Sequence, residues 1–530
     1  MFALILALVC GPSAAAPVVP ASAPAASAAR VPPLPWLSPD GQPTRLANEA
    51  LALLADAASD GLDPNDYDVA ALATRAAAMA RDGADPAGQQ AFSTALQRSL
   101  LRYLQHLHSG RVDPRRLGFR LPPRSPQADG AAALLLTLDQ RPLPETVQAL
   151  RPPYAQYQAL RKVLAHYRQL AADATLVPPA LPAKTVRLDD PLPSAPALAR
   201  LLVALGDLPA DTPTAPDRFD AALSEGVRRF QARHALEPDG LIGKTTRAAL
   251  TTPLSQRVRQ IELAMERMRW LSPSPGRRFI AINIPTFRLW AWDPAAPADT
   301  PPLTMSVIVG KALNTRTPVL QEDMRYLIFR PYWNVPRSIV RDELLPKIRR
   351  DAGVLARDQM EIVRGESDNA AIVPPTPDNL ALLEQGALRL RQRPGDHNSL
   401  GLVKFMFPND HNVYLHGTPA QRLFQRTRRD FSHGCVRVED PVALAQWVLR
   451  EQPEWTRERI EAAMNGQQSQ RVDLLQPISV LLFYTTAYLA PENGQLQFAS
   501  DIYGHDKRLE QALQAYREGR KGEPERKGVQ

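Results

Sequence analysis

Two short stretches hold the side chains best suited to chemistry: NVYLHGTP, which carries Tyr414 and His416, and FSHGCVRV, which carries Ser432, His433, Cys435 and Arg437. An imidazole held against a thiol activates a weak nucleophile, because the imidazole takes the thiol proton and leaves a thiolate. Read as a strand running into a turn, the first stretch alternates, with Tyr414 and His416 on one face and Val413 and Leu415 on the other. The second places His433, Cys435 and Arg437 on one face and turns Val436 and Val438 to the core. If the two strands are adjacent, His416 reaches the Cys435 sulfur. Gly434 has no Cβ, so the backbone can turn tightly there and aim the N–H groups around Cys435 at a developing oxyanion.

Other fates for Cys435 compete. An inert core cysteine needs apolar walls, and Ser432, His433 and Gly434 supply poor ones. A zinc site from His416, His433 and Cys435 has suitable ligand types, but His433 and Cys435 are two apart rather than at a usual ligand spacing, and no fourth ligand is evident. A disulfide needs a partner, and the chain has two cysteines in all. The other, Cys10, sits in MFALILALVCGPSAAAPVVP. Its apolar run Phe2 to Val9, breaker pair Gly11-Pro12 and small residues Ala14 to Ala16 read as an export signal without a basic leading region. Val9 is bulkier than the residue a lipidation site wants before its cysteine. Loss of the signal, residues 1–16, removes Cys10 and leaves Cys435 without a partner in an oxidising compartment. Arg437 suits a structural ion pair and a carboxylate-holding role equally. His397, His411 and His505 read as loop histidines, and His106 and His108 as residues favoured at a helix C-terminus rather than metal ligands.

The elements that must position these residues belong to several domains. At 530 residues, 44% hydrophobic and 22% charged, the chain is too long for one core, and its 52 prolines mark linkers and loops. The net charge of +8 suits a polyanion such as a cell-wall polymer. Dispersed arginines without aromatic interleaving or a recognition-helix pattern give no pointer to nucleic acid. After a Pro/Ala-rich leader over 17–45, residues 46–195 show helical periodicity and read as a helical scaffold domain. Residues 196–252 form a three-helix pattern around EPDGLIG, where Asp239-Gly240 supplies a tight turn and Thr245 can begin the last helix. A connecting helix over 253–277 leads to a β-rich domain over 278–507, interrupted at about 335–395 by a helical, charged insertion of the kind that forms lids. The run ISVLLFYTTAYLA from Ile478 is too short to span a bilayer and reads as a core strand. Residues 508–530 read as a charged helix and tail. The expected fold class is multidomain α+β.

HGTP and SHGCVRV, with fifteen residues between His416 and Ser432, match the signature of L,D-transpeptidases of the YkuD fold. The chain resembles the large YcbB-like branch from about Leu46 to Leu513, through MERMRWL, RPYWNVPRSIV, RPGDHNSLGLVKFMFPN and DIYGHD, with Arg330 where that branch would carry Asn. Phe230-Gln231, Asp239-Gly240, Gly243 and Thr246 resemble the hallmark of the first type of peptidoglycan-binding module.

The resemblance implies Cys435 as nucleophile and His416 as base, oriented by the carbonyl of Gly417. Backbone groups at His433, Gly434 and Cys435 would form the oxyanion hole, with Tyr414 as helper and with Ser432 and Arg437 on the substrate. It further implies a periplasmic enzyme of cell-wall biogenesis, needing no metal or organic cofactor. Its thiolate attacks the meso-diaminopimelate carbonyl of a tetrapeptide stem, releases D-Ala, and passes the acyl group to a second stem in a 3-to-3 cross-link. Water, a free D-amino acid or a protein lysine are competing acceptors, and carbapenems should acylate Cys435. Implied partners are peptidoglycan stem peptides and glycan, with glycan polymerases and D,D-carboxypeptidases around them. Two other readings remain: an L,D-carboxypeptidase-type Cys/His hydrolase, and a wall-binding scaffold with a vestigial site.

Overall fold

Short polar side chains start the N-terminal helices. Thr44 accepts from the Ala47 N–H ahead of helix Arg45–Ala55, and Asp85 accepts from Gly88 ahead of Pro86–Ser109, which Gly110 ends at a φ of 81°. The computed structural model describes residues 35–122, 142–272, 277–297, 300–312 and 315–521. The expected signal, Cys10, most of the leader and the end of the tail lie outside the described residues. With helices Val69–Asp82 and Leu143–Leu150, the first two bury Leu54, Phe92, Leu96, Leu100 and Tyr103 in one core. Trp36 joins that core at 1% exposure, so the last part of the expected leader is structural. His106 is also buried. Its ring lies 3.0 Å from the Tyr67 hydroxyl and 2.8 Å from that of Tyr516, and burial pushes it down to about 3, so it is a neutral bridge and not a charge at a helix end.

Helices Ala195–Ala204, Ala221–Arg233 and Lys244–Leu250 make the three-helix module, sharing a core with helices Ala155–Ala172 and Leu254–Met268. The motif residues of the module are spent on its turn. The Gln231 amide donates to Asp239, the Leu241 carbonyl and Thr246, and accepts from the Gly240 N–H at 2.8 Å. Helix Leu254–Met268 is also fastened to the scaffold: its buried Glu266 accepts from Arg111 and Arg269. Burial would raise its carboxyl, but the two guanidinium groups outweigh that and hold it at about 2.

The remaining residues build a sheet that closes on itself. Its strands are β1 Phe279–Asn283, β2 Arg288–Trp292, β3 Leu303–Gly310 and β4 Leu320–Phe329, followed after the insertion by five more. The insertion holds β5 Trp333–Asn334, β6 Met360–Arg364, β7 Ala371–Val373 and β8 Arg389–Gln392. The sheet resumes with β9 Val403–Met406, β10 Leu415–His416, β11 Asp430–Ser432, β12 Val436–Val438 and β13 Gln470–Phe483. The order is β11-β3-β12-β10-β9-β4-β13-β1-β2, and β2 pairs back with β3, which closes the sheet and leaves short β11 at its edge. A short hairpin, β14 Ala487–Leu489 with β15 Leu496–Phe498, packs against the module core.

The insertion is not purely helical. Its four strands form a sheet in the order β5-β8-β6-β7, and Ile339, Leu345, Ile348, Leu383 and Leu390 make it a core of its own. Nor is the last helix, His505–Lys521, a free tail, since Leu509 and Leu513 are buried in the core of the closed sheet.

Candidate active site

β10 lies between β9, antiparallel, and β12, parallel. On one face Phe405, Leu415 and Val436 stand in a row, all at 0% exposure, and burial of that row fixes the register. The same register lines up Lys404, His416 and Arg437 on the other face. The expected alternation around His416 and Arg437 therefore places both residues on one side of neighbouring strands.

His416 is buried, and its Nδ1 lies 2.5 Å from the Gly417 carbonyl. A carbonyl only accepts, so Nδ1 carries the hydrogen and Nε2 keeps a lone pair for an incoming proton. Burial first, and the Arg437 charge second, push the imidazole down to about 3, so it rests neutral. Gly401 supports this corner at a φ of 64°. A Cβ there would sit 2.6 Å from the Thr418 nitrogen, so only glycine lets the chain pass beneath Gly417.

The Cys435 thiol lies 3.6 Å from the carbonyl of Asn412 and is hydrogen-bonded by the Tyr414 hydroxyl. Burial raises the thiol, while the Tyr414 bonds and the charges of Lys404 and Arg437 pull it the other way. Ser432 braces the turn: its hydroxyl donates to the Cys435 carbonyl at 2.5 Å and accepts from the Gly434 N–H at 3.1 Å. That N–H is thereby committed to Ser432, so of the three backbone groups expected to face an oxyanion, Gly434 already has a partner.

Gly434 sits at a φ of 116°, which interrupts the expected strand; β12 begins only at Val436. His433 consequently leaves the face it was expected to share with Cys435 and Arg437. Its Nε2 lies 2.6 Å from the Glu343 carboxylate, on a π-helical turn, Val340–Leu344, of the insertion. The Arg437 Nε is buried with no hydrogen-bond partner, and among the described residues Arg437 has no carboxylate ion pair. Of its two sequence readings, the structural ion pair is not formed.

Several supports escaped the sequence. Thr315 donates to the Ser432 carbonyl at 3.0 Å and Thr317 to the Gly434 carbonyl at 2.8 Å. Gly310 lets them approach, because a Cβ there would lie 1.9 Å from the Thr315 oxygen. The Tyr503 hydroxyl, in DIYGHD, donates to the Gly310 carbonyl at 2.5 Å. The next histidine, His505, is expected in a loop and is instead buried against Phe119, Tyr484 and Tyr503.

The family described as the L,D-transpeptidase catalytic domain, YkuD, matches residues 277–461, which include the whole of this site. Residues 277–461 are thus similar to an L,D-transpeptidase catalytic domain. A scaffold domain family matches residues 28–164, and the family described as "Putative peptidoglycan binding domain" matches residues 194–250. A Haemophilus influenzae protein described as "Putative L,D-transpeptidase" is 30% identical over 248 residues, 47% of this chain and 48% of that protein. The match thus spans about half the length of this curated relative.

The insertion, β5 to β8, falls inside the matched range and reaches the site through Glu343. A cavity of about 430 Å³ lies elsewhere, between the scaffold-side helices and the closed sheet, lined by residues such as Leu160, Met268, Trp290, Phe483 and Tyr488. It includes neither Cys435 nor His416. His397 and His411 are exposed turn residues. Among the described residues no helix is long and apolar enough to cross a membrane.

Proposed function

We propose that this protein is a periplasmic cysteine L,D-transpeptidase that forms 3-to-3 cross-links between peptidoglycan stems, with its catalytic domain over residues 278–507. The observation that carries the reading is His416, neutral and with Nδ1 held by Gly417, on the strand that runs parallel and in register with the one leaving Cys435. Rotation of the thiol away from the Asn412 carbonyl gives its proton to His416 Nε2, and the sulfur attacks the meso-diaminopimelate carbonyl carbon of a donor tetrapeptide. The carbonyl oxygen takes the negative charge, for which the N–H groups of His433 and Cys435, with the Tyr414 hydroxyl, are the candidate donors.

An imidazolium beside Arg437 is a strong acid, so it readily returns the proton to the departing D-Ala nitrogen as the C–N bond breaks. The thioester then meets the side-chain amine of a second stem. That nitrogen loses a proton to His416, the new amide forms, and the thiol leaves protonated. The insertion, fastened to His433, shields the thioester from water.

Mass spectrometry of the exported chain incubated with disaccharide tetrapeptides tests the reading. The wild type should give cross-linked dimers with loss of D-Ala, and Cys435→Ala none. Dimers from the alanine variant would overturn the mechanism, and tripeptides without dimers would favour the carboxypeptidase reading.

A further inference from the structure

We propose that Lys404 pairs with Arg437 to recognise a free carboxylate on the donor stem beside the scissile carbonyl. This deepens the transpeptidase reading and rests on it.

Lys404 stands opposite His416 on β9 as Arg437 does on β12, so the two cations flank the base in one row on one face. Both are half-buried, and among the described residues neither forms an ion pair with an acid. The Lys404 ammonium rests 3.8 Å from the centre of the Tyr414 ring, a contact that offsets only part of the cost of withdrawing it from water. The Arg437 Nε faces no acceptor at all. Two partly buried cations face one nucleophile, and no described carboxylate pairs with either, so even the Cys435 thiolate leaves one positive charge to be met by an anion.

A tetrapeptide stem offers two carboxylates next to the bond to be broken: the terminal one of the leaving residue and the one on the diaminopimelate side chain. Lys404 supplies a flexible point charge and Arg437 a planar fork, which suits one carboxylate shared between them. A bound carboxylate also offsets the charges that hold a proton off His416, so the base gains proton affinity when the donor is seated.

Titration calorimetry on the full-length Cys435→Ala chain tests this without turnover. The probes are a disaccharide tetrapeptide, its terminal carboxamide and its diaminopimelate side-chain carboxamide, each measured with Lys404, Lys404→Met and Lys404→Arg. Lys404→Met should weaken binding of the free stem about tenfold or more. It should leave unchanged the binding of whichever amidated stem lacks the recognised carboxylate, and that arm names the carboxylate. Lys404→Arg should restore most of the affinity. Equal losses on all three probes, no loss on any, or a parent that binds none of them would overturn the proposal. Failure of the wild type to cross-link stems that it binds would instead remove the transpeptidase reading and leave the carboxylate pair standing.

Discussion

Glu343 on the insertion and His433, two residues before the candidate nucleophile, are joined at 2.6 Å, so the inserted subdomain touches the turn that presents Cys435. The pair is a third to a half exposed and contributes about 0–1 kcal/mol to stability. Glu343→Gln should therefore leave the melting temperature within a few degrees of wild type. It should nevertheless raise the ratio of hydrolysis to transfer severalfold when muropeptide products are quantified. An unchanged ratio would count against the insertion as a shield from water.

Tyr414 donates to the thiol, and this bond favours the thiolate. Its removal in Tyr414→Phe raises the thiol further. The pH profile of Cys435 alkylation by iodoacetamide should move to higher pH, and carbapenem acylation at neutral pH should slow by about tenfold. A profile that stays in place would show that the hydroxyl does not act on the sulfur.

His106, His416 and His505 each fall from an ordinary 6.5 to about 3, with burial the largest cause. Between those values the unfolded chain binds more protons than the folded one, so stability is lost as pH falls through the window. Each histidine costs about 2 kcal/mol by pH 5. Denaturant unfolding at pH 7 and pH 5 should show this loss. His106→Gln, which keeps a partner for Tyr67, should flatten the slope; a variant with the wild-type slope would mean that His106 takes no part.

Gly310→Ala should be among the most damaging single-methyl changes in the chain. The new Cβ would lie 1.9 Å from the Thr315 oxygen and 3.0 Å from the Gly434 Cα, so the turn at Gly434 has to shift. Expected are a stability loss of about 1–3 kcal/mol and a fall in acylation of about tenfold or more. Gly519→Ala, on an exposed helix with open space around it, should by contrast gain about 0.5–1 kcal/mol. Equal acylation rates for the two variants would remove Gly310 from the support of the site.

Much of this arrangement was legible in the sequence because period-two alternation and burial act together. Leu415 and Val436 had to face a core, and that alone put His416 and Arg437 on the opposite side of their strands. What stayed hidden depends on distance or backbone sign. Lys404 looks like any outward residue of VKFMF until β9 is paired with β10. Thr315 and Thr317 lie more than a hundred residues before the carbonyls they hold. The positive φ of Gly434 redirects His433, and composition does not display it. The insertion hid its sheet because strands such as Arg389–Gln392 carry only one apolar side chain.

β13 is inserted between β1 and β4, pairing Phe279 with Ser479 some two hundred positions later, while Tyr516 reaches back to His106. The closed sheet therefore has a gap until residues 470–483 exist, and the scaffold waits longer still for its final contact. Such remote pairings form late in folding. The sheet that holds His416 and Cys435 is thus completed by residues that follow both in the chain.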